Sequence, residues 1–259
     1  MFFELPRHGL PVALLFRTGE HMATATVTKT TTIANKTTTT FRDIFRDMPA
    51  KLVKELESLE FTTSYPSEAI LFVEEQLPRG VFMVLRGRVK LSVCSRDGKT
   101  LILRIAEAGE VLGISASVAA HAYEATAETL EASEISFVRR ADILRLMHEY
   151  NELALWLAEN LSHEYSFTCR EVRNLMLAES ARGKLARFLV ENLDKNGSPK
   201  QPDRMKLGLT HEEMAQMIGS SRETVTRTLA AFKRGHLVEQ DGATFIIHDR
   251  LALESMVPA

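Results

Sequence analysis

From Phe61 to Phe137 the chain is cut repeatedly by turn signals, and beyond Arg140 it runs to Gly183 without a glycine. The first stretch holds short runs rich in Val, Ile, Leu and Phe: Ile70 to Val73, Val81 to Leu85, Val89 to Val93, Leu101 to Ile105 and Ile135 to Val138. Between them lie Pro66-Ser67, Pro78-Arg79-Gly80, Arg86-Gly87-Arg88, Asp97-Gly98 and Gly109-Glu110. Many short strands at this spacing, with Asp97-Gly98 as a tight hairpin signal, predict an antiparallel sandwich or barrel such as a jelly roll. The glycine-free stretch, rich in Leu, Glu, Arg and Ala, predicts long helix. The fold class is therefore α+β.

With 259 residues, 45% apolar and 25% charged, and a net charge of -2, the chain is predicted to fold as two modest soluble domains. The longest apolar run, Leu10 to Phe16 with Pro11 inside it, is far short of the roughly 20 residues of a membrane helix, and no small-residue cleavage site follows it directly. Two cysteines, Cys94 and Cys169, cannot supply a four-thiolate metal or iron-sulfur site, and a reducing cytoplasm is the natural compartment. From Met22 to Thr40 there is almost nothing large to bury, so residues 1–40 read as a disordered tail; a start at Met22 explains that composition about as well. Patterning begins at Phe41, where Phe41, Ile44, Phe45, Met48, Leu52, Val53, Leu56 and Leu59 predict an amphipathic helix pair broken at Pro49. The divisions expected are an effector-type β-domain over 41–147, a long helix over 148–178 and a C-terminal domain over 179–259. In the long helix Ala154, Leu157, Leu161, Tyr165, Thr168, Val172 and Leu175 fall near the 3.5-residue spacing of a coiled-coil seam, which predicts a homodimer; Glu164 and Glu171 interrupt it.

The sharpest local signal lies between Thr210 and Lys233. Thr210-His211-Glu212-Glu213 is a capping box opening a helix that stops at Gly219, and Ser220-Ser221-Arg222-Glu223 reads as a second box opening another. Two short helices joined at a glycine turn make a helix-turn-helix, whose second helix presents its N-terminal residues to the major groove. Those residues are Arg222, Glu223, Thr226 and Arg227. A guanidinium can donate twice to guanine O6 and N7, whereas a carboxylate only accepts, as from cytosine N4, so the set can discriminate base pairs. Leu237-Val238 and Thr244 to Ile247 then flank Asp241-Gly242 as a hairpin, the layout of a winged helix.

Residues 180–259 hold twelve Lys and Arg against ten Asp and Glu, too small an excess for strong nonspecific binding. Phosphate contacts are therefore expected from a local patch such as Lys184, Arg187, Arg204, Lys206, Thr224, Lys233 and Arg234, together with helix N-termini such as Ser221.

These residues resemble the cyclic-AMP receptor and fumarate-nitrate regulator (CRP/FNR) family of bacterial transcription factors. The likeness runs from Phe41 to the C-terminus and is most specific in Ser221-Arg222-Glu223-Thr224-Val225-Thr226-Arg227, in Gly109-Glu110-Val111-Leu112-Gly113 and in Gly183-Lys184. It implies an N-terminal double-stranded β-helix, a long dimerisation helix and a C-terminal winged helix-turn-helix, and a dimer on an inverted repeat with TGTGA-like half-sites. It also implies RNA polymerase as a partner, through loops such as Arg96-Asp97-Gly98 and Asn196-Gly197-Ser198.

The effector segment departs from the cyclic-nucleotide pattern. Where binders of that kind carry a ribose-binding Glu and then an Arg for the phosphate, this chain has Ile114-Ser115-Ala116-Ser117 and Tyr123-Glu124. No cation awaits the phosphate, and Glu124 repels it. Gly109, Glu110, Gly113, Ile114, Ser115, Tyr123 and Glu124 thus read as a degenerate pocket, with an effector other than cyclic AMP or none at all; the alternatives are a cyclic-nucleotide-responsive regulator with an atypical pocket and a haem- or thiol-based redox or gas sensor. The cysteine cluster of the oxygen-sensing branch is missing. No cofactor is expected; haem would have to use Cys94, His121 or His148, and a thiol switch would use Cys169. Between Phe61 and Phe137 there is one histidine, His121, too few for a metal-dependent β-barrel enzyme, so no catalytic or metal residues are assigned.

Overall fold

The computed structural model describes residues 38–177, 180–196 and 201–257. The expected tail lies outside them but for Thr38–Thr40, as do Gly197 and Ser198. Two short helices come first, α1 (Phe41–Ile44) and α2 (Ala50–Leu59). Thr40 caps α1 in a reciprocal box with Asp43, and Pro49 sits at the start of α2, where its missing N–H costs nothing.

Eight strands follow: β1 (Phe61–Tyr65), β2 (Ile70–Phe72), β3 (Gly80–Arg86), β4 (Val89–Cys94), β5 (Thr100–Ala106), β6 (Val111–Leu112), β7 (Thr126–Thr129) and β8 (Ser133–Arg139), with α3 (Ile114–Ala119) between β6 and β7. They form two antiparallel sheets, β1-β8-β3-β6 and β2-β7-β4-β5, the jelly roll that the turn spacing predicts. At the β4–β5 hairpin Gly98 takes φ +82°, and its N–H closes the turn on the Ser95 carbonyl. Phe72, Phe82, Leu112, Tyr123 and Ile135 fill the space between the sheets.

The chain then leaves β8 for α4 (Arg140–Glu149) and α5 (Asn151–Leu177), separated by an extended Tyr150. The first turns of α5 bury Leu153 and Leu157 in a second core with Phe41, Phe45, Leu52, Leu56 and Leu146. The predicted seam is therefore divided: Leu157 and the half-buried Leu161 pack against the roll, while Tyr165 and Val172 are 72% and 54% exposed. Leu175 lies outside the described side chains.

The C-terminal part holds α6 (Ala181–Asn196), β9 (Arg204–Lys206), α7 (His211–Ile218), α8 (Arg222–Arg234), β10 (Val238–Asp241), β11 (Thr244–Ile247) and α9 (Arg250–Glu254). Its core joins Leu185, Leu189, Met214, Val225, Phe232 and Phe245. Each such side chain contributes about 1.5–3 kcal/mol when fully buried. Strands β10 and β11 form the wing, and β9 extends it to three strands. No helix among the described residues is long and apolar enough to cross a membrane.

Candidate nucleic-acid interface

The helix-turn-helix is held by caps of two kinds. At the start of α7, Glu213 N–H donates to Thr210 Oγ1 (3.1 Å) and Thr210 N–H donates to Glu213 Oε2 (2.7 Å), the reciprocal box read from the sequence. The second box does not form as Ser220 with Glu223. Gly219 ends α7 at φ +61°, and the N–H groups of Gly219 and Ser220 both return to the Ala215 carbonyl. Ser220 is thus spent on the C-cap of α7, and the N-cap of α8 moves to Ser221, whose hydroxyl accepts from Thr224 N–H at 3.2 Å.

This one-residue shift leaves the face of α8 clear. Val225, Leu229 and Phe232 point into the core, while Arg222, Glu223, Thr226 and Arg227 are all exposed. Neither Arg222 nor Arg227 reaches ion-pair distance of a carboxylate among the described residues, so their donors are open to a ligand. The Glu223 carboxyl is held below its usual range by its own backbone N–H and the Ser221 hydroxyl, and it remains an acceptor only. Thr226 is linked to α7 through His211, with Nδ1 and Oγ1 2.9 Å apart. Sequence spacing carries no sign of this cross-helix contact.

The residues assigned to phosphates are dispersed. Ser221 and Thr224 sit at the α8 N-terminus with hydroxyls 3.0 Å apart. Lys233 and Arg234 are exposed at its far end, and Lys233 Nζ donates to Gln240 Oε1 of the wing at 2.9 Å. Lys184, on α6, lines a cleft of about 570 Å³ bounded by β5, α5 and α6. In that cleft Arg104 bridges Glu110 of the roll and Glu164 of α5, tying the roll to the long helix. Burial pushes the Glu171 carboxyl on its wall upward, and repulsion from Glu191 adds to the shift. Arg88 links the roll to the C-terminal part, donating to the carbonyls of Leu207 (2.7 Å) and Gly208 (3.3 Å). Neither link stands out in the sequence, because Arg104 reaches Glu164 across 60 residues and Arg88 reaches Leu207 across 119.

The segment read as a degenerate effector pocket is divided: Ile114 and Tyr123 are buried, Gly109 and Glu110 lie on the wall of the cleft, and Ser115 and Glu124 are nearer the surface. Ile114 belongs to the core beneath the roll, and Tyr123 stacks on Phe72 at 4.0 Å inside it. The Tyr123 hydroxyl donates to the buried Gly80 carbonyl (2.9 Å) and accepts from Arg79 N–H (3.3 Å), and burial pushes the phenol upward. Gly113 has φ +75°, and a Cβ there would lie 2.8 Å from the Tyr123 ring. Glu110 is engaged by Arg104, and Gly109 N–H by the Val84 carbonyl. Ser115 and Glu124 gather around the His121 ring at the surface, at 3.3 and 3.4 Å. Replacing Tyr123 by Phe is expected to cost about 1 kcal/mol, one buried hydrogen bond, in urea unfolding, with the roll intact by circular dichroism. An unchanged midpoint would show that the hydroxyl contributes nothing to packing.

Cys94 at the end of β4, His121 after α3 and His148 in the last turn of α4 are all exposed and on separate elements, and no group of three metal-ligating side chains occurs among the described residues. Cys169 is exposed on α5, and its hydrogen bond is the first cause of an upward shift of the Tyr165 phenol.

Comparison with known proteins agrees with this architecture. Residues 62–150 match the cyclic nucleotide-binding domain and residues 183–256 the Crp-like helix-turn-helix domain. The chain is similar to the cAMP-activated global transcriptional regulator CRP of Haemophilus influenzae, with 27% identity over 188 residues, 71% of this chain and 82% of that protein. Among solved structures, a CooA mutant from Carboxydothermus hydrogenoformans superposes with a TM-score of 0.65 at 26% identity, covering 77% of this chain and 88% of that one. A crp/fnr-family regulator from Eubacterium rectale superposes at 0.67 with 21% identity, covering 83% and 98%. The two domain matches lie in the same order as the roll and the winged helix-turn-helix, and the family regulates transcription and is not enzymatic. The chain belongs to the CRP/FNR family of DNA-binding transcription regulators.

Proposed function

We propose that the protein is a cytoplasmic homodimer that reads an inverted repeat with TGTGA-like half-sites and responds to something other than cyclic AMP. The observation that carries the reading is the amphipathic division of α8, with its apolar face buried and Arg222, Glu223, Thr226 and Arg227 exposed together at its N-terminal end. Two guanidinium groups suit guanine O6 and N7, and the carboxylate suits cytosine N4, which matches the G·C pairs of such a half-site. Ser221, Thr224, Lys233 and Arg234 flank this set and are assigned to phosphates, together with Lys184. RNA polymerase is the expected protein partner, through surface turns such as Arg96-Asp97-Gly98.

A second subunit is favoured by the exposed stripe on α5. Leu155, Ala158, Ser162, Tyr165, Cys169 and Val172 are all exposed and alternate at three and four residues, the spacing of a coiled-coil seam. Two recognition helices related by a twofold axis then meet half-sites about one helical turn apart. Titration of the whole protein against a labelled inverted repeat, a direct repeat and a scrambled duplex tests this. The inverted repeat is expected to bind tightest by at least about 10³-fold over scrambled DNA, and equal affinities would reject the reading.

Against cyclic AMP stand the packed Tyr123 and the anionic Glu124 that follows it, which repels a phosphate. Any signal must bind the two arrangements of the recognition helices unequally, and the cleft crossed by the Arg104 bridge touches the roll, α5 and α6 together. A ligand at a hundred times its Kd would add about 2.7 kcal/mol of stability. Cyclic AMP is expected to leave the thermal midpoint unmoved, and a clear upward shift would restore the atypical-pocket alternative.

A further inference from the structure

We propose that His211 is a positioning residue that decides whether Thr226 meets a base edge as a hydrogen-bond acceptor or as a donor, so that protonation of its imidazole changes the base preferred at that pair. The inference rests on the DNA-reading role of α8 given above. His211 is the first residue of α7 and Thr226 lies in the second turn of α8, and their Nδ1 to Oγ1 distance of 2.9 Å joins the two helices. Both ends are fixed independently, α7 by the Thr210 box and α8 by the Ser221 cap. Thr226 remains exposed while bonded, so its hydroxyl serves both the ring and whatever enters from solvent.

A threonine hydroxyl has one hydrogen and two lone pairs. In the neutral ring with its proton on Nε2, Nδ1 accepts and the Thr226 hydrogen is committed to it. Only lone pairs then face the DNA, and they suit the amino groups of cytosine or adenine. In the doubly protonated ring Nδ1–H donates to Oγ1 instead. The hydroxyl hydrogen is released and turns to guanine O6 or N7, or to thymine O4. An imidazole makes this change between about pH 5 and 8.

Among the described residues Thr226 is the one hydrogen-bond partner of the His211 side chain. The neighbouring charges on α7 are Glu212 and Glu213, the latter bonded to Thr210 N–H. Those on α8 are Arg222, Glu223 and Arg227. The β4–β5 hairpin, which packs on α7 through β5, brings Asp97 and Lys99, paired at 3.1 Å, and Arg104, held by Glu110 and Glu164. From α6, the third element against α7, Lys184, Arg187 and Glu191 line the cleft.

The test is selection from duplexes randomised across the half-sites, at about pH 6 and about pH 8, with the full-length protein and its Thr226→Val and His211→Gln variants. The wild type is expected to shift about fivefold, at one position of each half-site, from an amino-bearing base at high pH toward a carbonyl-bearing base at low pH. Positions read by the arginines and Glu223 stay as they are, and both variants lose the pH response while keeping selectivity elsewhere. A wild-type preference that is selective but indifferent to pH overturns the link, as does a pH response surviving in Thr226→Val. Variants that lose selectivity at every position would show that the pair merely holds the helices together, which also overturns it. A wild type with no sequence preference at either pH overturns the DNA-reading assignment and this inference with it.

Discussion

Arg227→Ala is expected to weaken binding to the inverted repeat by about 1–3 kcal/mol for each half-site, and by twice that on the full site because both subunits lack the same guanidinium. The side chain is exposed, has no carboxylate at ion-pair distance among the described residues and stands on a helix whose opposite face is locked into the core, so its removal leaves the scaffold as it was. Random DNA meets the protein through phosphates, and its affinity is expected to change little. Competition between specific and random duplexes at one salt concentration separates the two. Lys233→Ala gives the contrast: it lowers affinity on both duplexes and reduces the salt slope by about 0.9 for each phosphate that the lysine had neutralised. An equal loss on both duplexes for Arg227→Ala would move that residue to the phosphate group and leave base reading without its main donor.

The sequence showed the helix-turn-helix clearly because caps are local chemistry, settled within four residues. Its one misplacement, the N-cap of α8, arose where two local rules compete for the same residue: the αL turn at Gly219 claims the Ser220 N–H before that residue can open the next helix. The roll was legible where strands carry large apolar side chains. Strand β7, Thr126–Thr129, left no such trace, because its inward positions are Ala127 and Thr129, small residues that fit the narrow interior. The contacts that organise the site are further from view. Arg104 with Glu164, Arg88 with Leu207 and His211 with Thr226 join residues that only the finished fold brings together. Periodicity on α5 likewise pointed to a single seam, and the finished fold divides it: Leu157 goes to the roll, while Tyr165 and Val172 stay exposed on another face.

That division sets up the second large effect. Leu153 and Leu157 are 0% and 2% exposed against the roll, which leaves Leu155 at 63% and Tyr165 at 72% exposed on another face. On a twofold seam each side chain near the axis lies close to its own copy, so Tyr165→Glu places two carboxylates in one apolar contact. The helix stays anchored through its first turns, so the variant is expected to keep its circular dichroism and thermal midpoint at low concentration. By light scattering its mass is expected to fall from twice 29.1 kDa to that of one chain. With a single recognition helix, affinity for the inverted repeat drops by about 10²- to 10⁴-fold, the avidity that linking two half-sites supplies. Tyr165→Phe, which keeps the ring, retains both mass and affinity. A wild type that is already monomeric, or a Glu variant that stays dimeric with affinity unchanged, would show that this stripe does not join the subunits.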